Sequence, residues 1–179
     1  MDKLLFSAML FFKRIRSGII VFFLLFCLPS LLSAQKLQQF NLGGLFRVGK
    51  LQAYNRTVKA DSSKREAVII DEKTGEGIVW IKSLNFTQGI IELDLKGQDV
   101  LQKSFVGVAF HGLNDSTYDA IYFRPFNFRA TDSVRRIHAV QYISHPAYTW
   151  KRLRDEQNAK YEKAVNPVPD PNEWFHARI

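Results

Sequence analysis

The chain has almost no cysteine. The single cysteine among 179 residues, Cys27, lies inside an apolar run near the N-terminus. Once that run is removed, no disulfide, thiolate nucleophile, zinc-thiolate centre or iron–sulfur cluster can form. Metal-ligand spacing is missing too. His111, His138, His145 and His176 occur singly, and a lone strand histidine is more often a satisfied structural residue than a ligand, so no metal site is expected. Gly43-Gly44 lacks the following lysine and the strand-to-helix setting of a phosphate loop. A Gly-x-Ser-x-Gly elbow is absent, which removes the usual serine nucleophile. Helical periodicity is scarce: only Trp150 to Tyr161 qualifies, as one or two surface turns rich in charge. There is no internal repeat and no low-complexity tract.

What is present begins with a leader. Lys13, Arg14 and Arg16 precede an apolar run from Gly18 to Ala34 that carries Pro29 near its end and small Ser33 and Ala34 before Gln35. This is the pattern of a secretory signal peptide over residues 1–34, and the run falls short of the roughly 20 residues that span a bilayer comfortably. Leu25 and Phe26 before Cys27 argue against lipid anchoring. A second apolar patch ahead of the basic cluster leaves the start open between Met1 and Met9. The expected location is outside the cytoplasm: secreted, periplasmic or at the cell surface, with no membrane association after leader removal. Four Lys/Arg and one Asp belong to the leader, which brings the formal charge from +8 to +5. The remaining charges are interspersed, so no nucleic-acid partner is expected.

Residues 35–179 read as one all-β domain. Short β-branched or aromatic runs at Ala67–Ile70, Gly77–Ile81, Gly89–Leu95, Phe105–His111, Tyr118–Phe123 and Ile137–Ile143 are separated by turn residues such as Asp71 to Gly75 and Gly112 to Ser116. Six short strands at this spacing predict an antiparallel β-sandwich. Asn172-Glu173 and the alternating residues after it look like a further strand opening, so the chain is expected to be a C-terminal truncation of a longer domain.

The densest information lies between Ser104 and Arg129. Alternation puts Val106, Val108, Phe110, Ile121 and Phe123 on one face, and Gly107, Ala109, His111, Tyr118, Ala120, Tyr122 and Arg124 on the other. The first set reads as core. The second reads as an open face with room for a flat, hydroxylated ligand, since rings supply stacking area and ionic groups supply directional hydrogen bonds. Pro125 lacks a donor and should bend the chain there. That bend re-aims Asn127 and Arg129, while Gln141 on the next strand and the loop His145 to Trp150 add further polar and aromatic groups.

The order GIVWIKSLNFTQGIIELDLKG, SFVGVAFHG, YDAIYFRPFNFR, VQYISHP, YTWKRLR, KYE and NEWFHARI resembles a Bacteroidetes-type family of secreted concanavalin A-like, laminin G-like jelly-roll domains. That family stands near the family 16 glycoside hydrolases and the 3-keto-disaccharide hydrolases. The resemblance implies two curved antiparallel sheets, a ligand groove on the concave one and carbohydrate as ligand. No cofactor is expected, and a structural calcium of the kind some related sandwiches hold stays open.

One pattern bears on hydrolysis. Retaining family 16 enzymes carry three carboxylates on one strand, and here Glu92 and Asp94 match the first two while the third falls on Lys96 or Gly97. Without a general acid the two-carboxylate mechanism cannot run on this strand. The reading from sequence is therefore a carbohydrate-binding or carbohydrate-processing domain with binding favoured. Its expected ligand residues are His111, Tyr122, Arg124, Asn127, Arg129, Gln141, Tyr148 and Trp150. The alternatives are a glycoside hydrolase, with Glu92 and Asp94 as weak catalytic candidates, and a structural or adhesion module. Glycan identity and oligomeric state stay open.

Overall fold

Glu92–Lys96 (β5) pairs antiparallel with Trp174–Arg178 (β10), and the ladder runs on to reciprocal bonds between Ile91 and Ile179. This is one of four small sheets. The computed structural model describes residues 37–179, and the elements among these described residues lie in the unit Phe40–Ile179. The leader, its cleavage near Ala34 and the choice between Met1 and Met9 lie outside the described residues. A six-residue helix, Leu42–Arg47 (α1), comes first, followed by Leu51–Tyr54 (β1), Val58–Ala60 (β2), Val68–Ile70 (β3) and Ile78–Ile81 (β4). β1 pairs with β4 and β2 with β3. The largest sheet has four strands in the order β6-β7-β8-β9: Val106–Phe110, Tyr118–Phe123, Val140–His145 and Glu162–Lys163. Every pairing is antiparallel. The fold is thus β-rich and built of small antiparallel sheets.

The β6-β7 register places Val106 opposite Phe123, Val108 opposite Ile121, Gly107 opposite Tyr122 and Ala109 opposite Ala120. Both faces of this sheet carry packed side chains. Phe123, with Val106 and Val140 beside it, packs against Leu93, Leu95, Phe175 and Ala177 from β5 and β10, with Phe128 and Ala139 completing the cluster. Edge-to-face rings lock it: Phe175 lies 5.2 Å from Phe123 and 5.3 Å from Phe128, between centroids.

The opposite face differs from the sequence expectation. Tyr118, Ala120 and Ile143 are buried there against Ile78 and Trp80 of β4, with Ala109 and Tyr122 alongside. The small residues read as leaving room for a ligand instead admit a second layer of protein. Trp80 meets Tyr118 edge-on at 6.1 Å, and a Cβ on Gly112 would come within 2.3 Å of its ring. At Gly107 a Cβ would stand 2.2 Å from the Ile121 carbonyl, so close strand approach requires glycine there.

Local chemistry moved some boundaries. The run expected to begin at Ile137 starts as a strand only at Val140, because Asp132 caps the helix Ser133–Ile137 (α2) by accepting from the Arg135 amide at 2.9 Å. Thr149 caps Trp150–Glu156 (α3) in the same way, and Pro125–Asn127 forms a 3-10 turn at the expected bend. β1, β2 and β9 have only two to four residues each and no alternating apolar run of their own. Their positions depend on the partner strands.

Candidate functional site

Arg124 and Gln141 come together, but in the interior. Strand alternation puts Tyr122, Gln141 and Glu162 side by side across β7, β8 and β9, and Arg124 follows at the end of β7. Arg124 is 7% exposed and Gln141 fully buried. The guanidinium donates to the Tyr122 hydroxyl at 2.9 Å, Gln141 Oε1 at 3.3 Å, the His138 carbonyl at 2.8 Å and Glu162 Oε1 at 3.4 Å. Gln141 Nε2 in turn donates to the Tyr142 and Tyr161 carbonyls. A buried guanidinium satisfied by four acceptors is a strut between strands.

Glu162 is the acid at the centre. Arg154 grips it from α3 with both Nε and Nη2. Burial disfavours its charged form, but the Arg154 guanidinium, with His138 and Arg124 beside it, outweighs burial and holds the carboxyl below the usual range. His138 Nδ1 sits 2.8 Å from Glu162 Oε2, without the alignment of a hydrogen bond. Burial pushes the His138 imidazole down, and the two arginines add to that against the pull of Glu162. Asn127, also buried, donates to the His138 carbonyl and accepts from Arg135 Nε at 3.3 Å. Arg129 stands apart on the surface, paired with Asp170 at 3.1 Å.

His111 is separated from this group. It follows the last residue of β6 at φ +52°, and its ring turns to Asp119, which lies on the sheet face opposite to Tyr122. Nδ1 is 2.8 Å from Asp119 Oδ2 and Nε2 is 2.9 Å from the Thr87 carbonyl, while Phe86 stacks on the ring at 6.0 Å. Neither acceptor carries a proton, so both ring nitrogens must donate, and only imidazolium satisfies both. The Asp119 and Thr87 bonds accordingly raise the His111 pKa.

Asp119 connects His111 to an open cleft. Its Oδ1 accepts from the Tyr142 hydroxyl at 3.2 Å. Partial burial works against the charged form, but hydrogen bonds from Ser144, His111 and Tyr142 overcome it and keep Asp119 ionised below the usual carboxylate range. Tyr142 and Ser144, two apart on β8, wall a cleft of about 540 Å³ with Tyr148, Leu153 and Tyr161. Tyr142 and Tyr161 lie 5.8 Å apart at a tilt of 30°. Tyr148, from the rim loop, is 44% exposed, and the Arg152 guanidinium stands over its ring at 5.0 Å. Trp150 is half-exposed on α3 with Arg154 over its ring at the same distance. Because the Tyr142 hydroxyl gives its proton to Asp119, its oxygen is left as an acceptor for a ligand's donors, and the Ser144 hydroxyl lies beside it on the same strand face.

Glu92 and Asp94 point outward from β5 in a cross-strand ladder. Glu92 pairs with Arg178 at 2.9 Å, and Asp94 with His176 at 3.0 Å and Lys64 at 3.8 Å. The exposed phase of β5 and β10 is a charged outer surface. Among the described residues, no group of three or more His, Cys, Asp or Glu is placed to hold a metal ion.

Sequence reasoning missed Glu162, Arg154, Asp119, Tyr142 and Tyr161. Asp119 and Tyr142 were detectable as polar residues in the otherwise apolar phase of the central strands. Glu162 lies in a two-residue strand with no periodic signal. No family model, curated protein or solved structure matches the chain.

Proposed function

We propose that this chain is a secreted β-sandwich of the concanavalin A-like, jelly-roll kind that binds carbohydrate, and that its ligand lies in the cleft between β8, α3 and the Tyr148 loop. The observation that carries this reading is the cleft itself: three tyrosines and a serine line it with Leu153, in a volume within the roughly 300–1,000 Å³ of small-molecule sites. Apolar ring faces take the C–H surface of a sugar and the oxygens take its hydroxyls.

Binding is favoured over catalysis because Glu92 and Asp94 are held in ion pairs on an outer surface and their strand continues with Lys96. Of the residues expected from sequence, Tyr148 lines this cleft, whereas Trp150 lies outside its lining. Arg124, Gln141 and Asn127 act behind the site as its support.

A glycan array on the exported chain, followed by calorimetry, tests the proposal. Micromolar or tighter binding that Tyr148→Ala weakens about tenfold, with an unchanged melting temperature, is the expected result. Release of reducing ends that disappears in Glu92→Gln would replace the binding module with the hydrolase alternative. Absence of any glycan ligand would defeat the reading outright.

A further inference from the structure

Two cationic side chains stand over the rings of two tyrosines that line the cleft. Arg152 lies over Tyr148 at 5.0 Å and the Lys160 ammonium lies 5.4 Å from the Tyr161 ring centre, both within cation–π range. Arg152 is held in place by Glu156, to which Nε donates at 2.8 Å, and by the Ala147 carbonyl, which accepts from Nη1 at 3.1 Å. Lys160 donates to Gln157 Oε1 at 2.8 Å, and among the described residues no carboxylate lies within ion-pair distance of it. Of the acids near these rings, Asp119 is engaged by His111 on one oxygen and Tyr142 on the other, and Glu156 is taken up by Arg152. An anion approaching these rings therefore meets carboxylates that already have cationic or hydroxyl partners, and an ammonium that has no acid partner among the described residues.

From this arrangement we propose that the cleft selects acidic saccharides, with the ligand's carboxylate at Lys160 and Arg152 and its hydroxyls at the Tyr142 and Ser144 oxygens. The inference rests on the carbohydrate-binding reading above and narrows it to uronate-containing glycans. A guanidinium already clamped by Glu156 presents its remaining N–H edge without further loss of side-chain freedom, and Lys160 supplies a rotatable point charge. Neutral glycans would leave both cations without added partners.

Calorimetry with a panel of short oligomers decides the matter: galacturonate, glucuronate, mannuronate and guluronate, their methyl esters, and neutral oligomers of glucose, galactose and xylose. The expected result is binding of at least one uronate oligomer, loss of most of that affinity on methyl esterification, and weakening between 50 and 500 mM salt, roughly as screening of exposed charges demands. Lys160→Gln and Arg152→Gln should each weaken binding roughly fivefold, and Lys160→Arg should restore it. Both positions are exposed, so unchanged melting temperatures show that folding is intact. Equal binding of a uronate and its ester, or unchanged affinity in both Gln variants, overturns the acidic selectivity and leaves carbohydrate binding standing. Binding of neutral oligomers alone does the same. Failure of the whole panel and of the glycan array overturns both.

Discussion

Arg124 and Glu162 are 38 residues apart in the chain and meet at the buried end of the four-stranded sheet, Nη1 to Oε1 at 3.4 Å. Glu162 also carries the bidentate Arg154, so one carboxylate joins β7, β9 and α3. Removing it would leave two guanidinium groups facing no acid. Glu162→Gln should lower unfolding free energy by about 3 to 5 kcal/mol, the usual cost of breaking a buried charge pair by deleting one partner. Urea denaturation measures it, and a change under 1 kcal/mol would mean that the cluster is not structural.

Arg124→Ala separates support from recognition. If Arg124 is a strut, the variant should lose on the order of 3 kcal/mol of stability, and whatever protein remains folded should bind glycan normally. A variant of native stability with lost binding would return Arg124 to the ligand site.

His111 and His138 should titrate on opposite sides of their common reference. The Asp119 and Thr87 bonds raise His111, so its midpoint should lie above 6.5. Its contribution to stability is fully present below pH 6.5 and is lost as pH rises through the raised value. Burial lowers His138, so its midpoint should lie below 6.5, and its contribution is lost as pH falls from there through the lowered value. Proton NMR of the two imidazole C–H signals reads both. Asp119→Asn should bring the His111 midpoint down, and an unmoved midpoint would show that Asp119 is not its partner.

Gly107 tests the strand packing. Gly107→Ala places a methyl 2.2 Å from a backbone carbonyl that no rotamer change can move. The expected cost is on the order of 2 kcal/mol, as for overpacking elsewhere, visible as a lowered melting temperature. A neutral substitution would contradict the register of β6 against β7.

The β6-β7 hairpin was legible because alternation is a local property. Val106 and Val108 had to share a face with Phe123 and Ile121 whatever the rest of the chain did. The turn at Pro125 and the helical turns after Trp150 were legible for the same reason, since both follow from backbone chemistry within a few residues. β9 was not, because two residues carry no period. His111 departs from the neighbours that alternation predicts because β6 ends at Phe110 and the positive φ at His111 redirects the ring toward Asp119.

The β-rich class, the pairing phase of the central hairpin and the charged phase of the strand bearing Glu92 and Asp94 follow from residue order alone. These depend on neighbours along the chain. Long-range packing lays Trp80 against the small-residue face, encloses Arg124 with Glu162 and brings Tyr142, Tyr148 and Tyr161 to the open cleft. Each of these depends on which distant segment lies over a sheet face. A side chain's residue type states what it can bond, but burial decides whether its partner is the protein or something outside it.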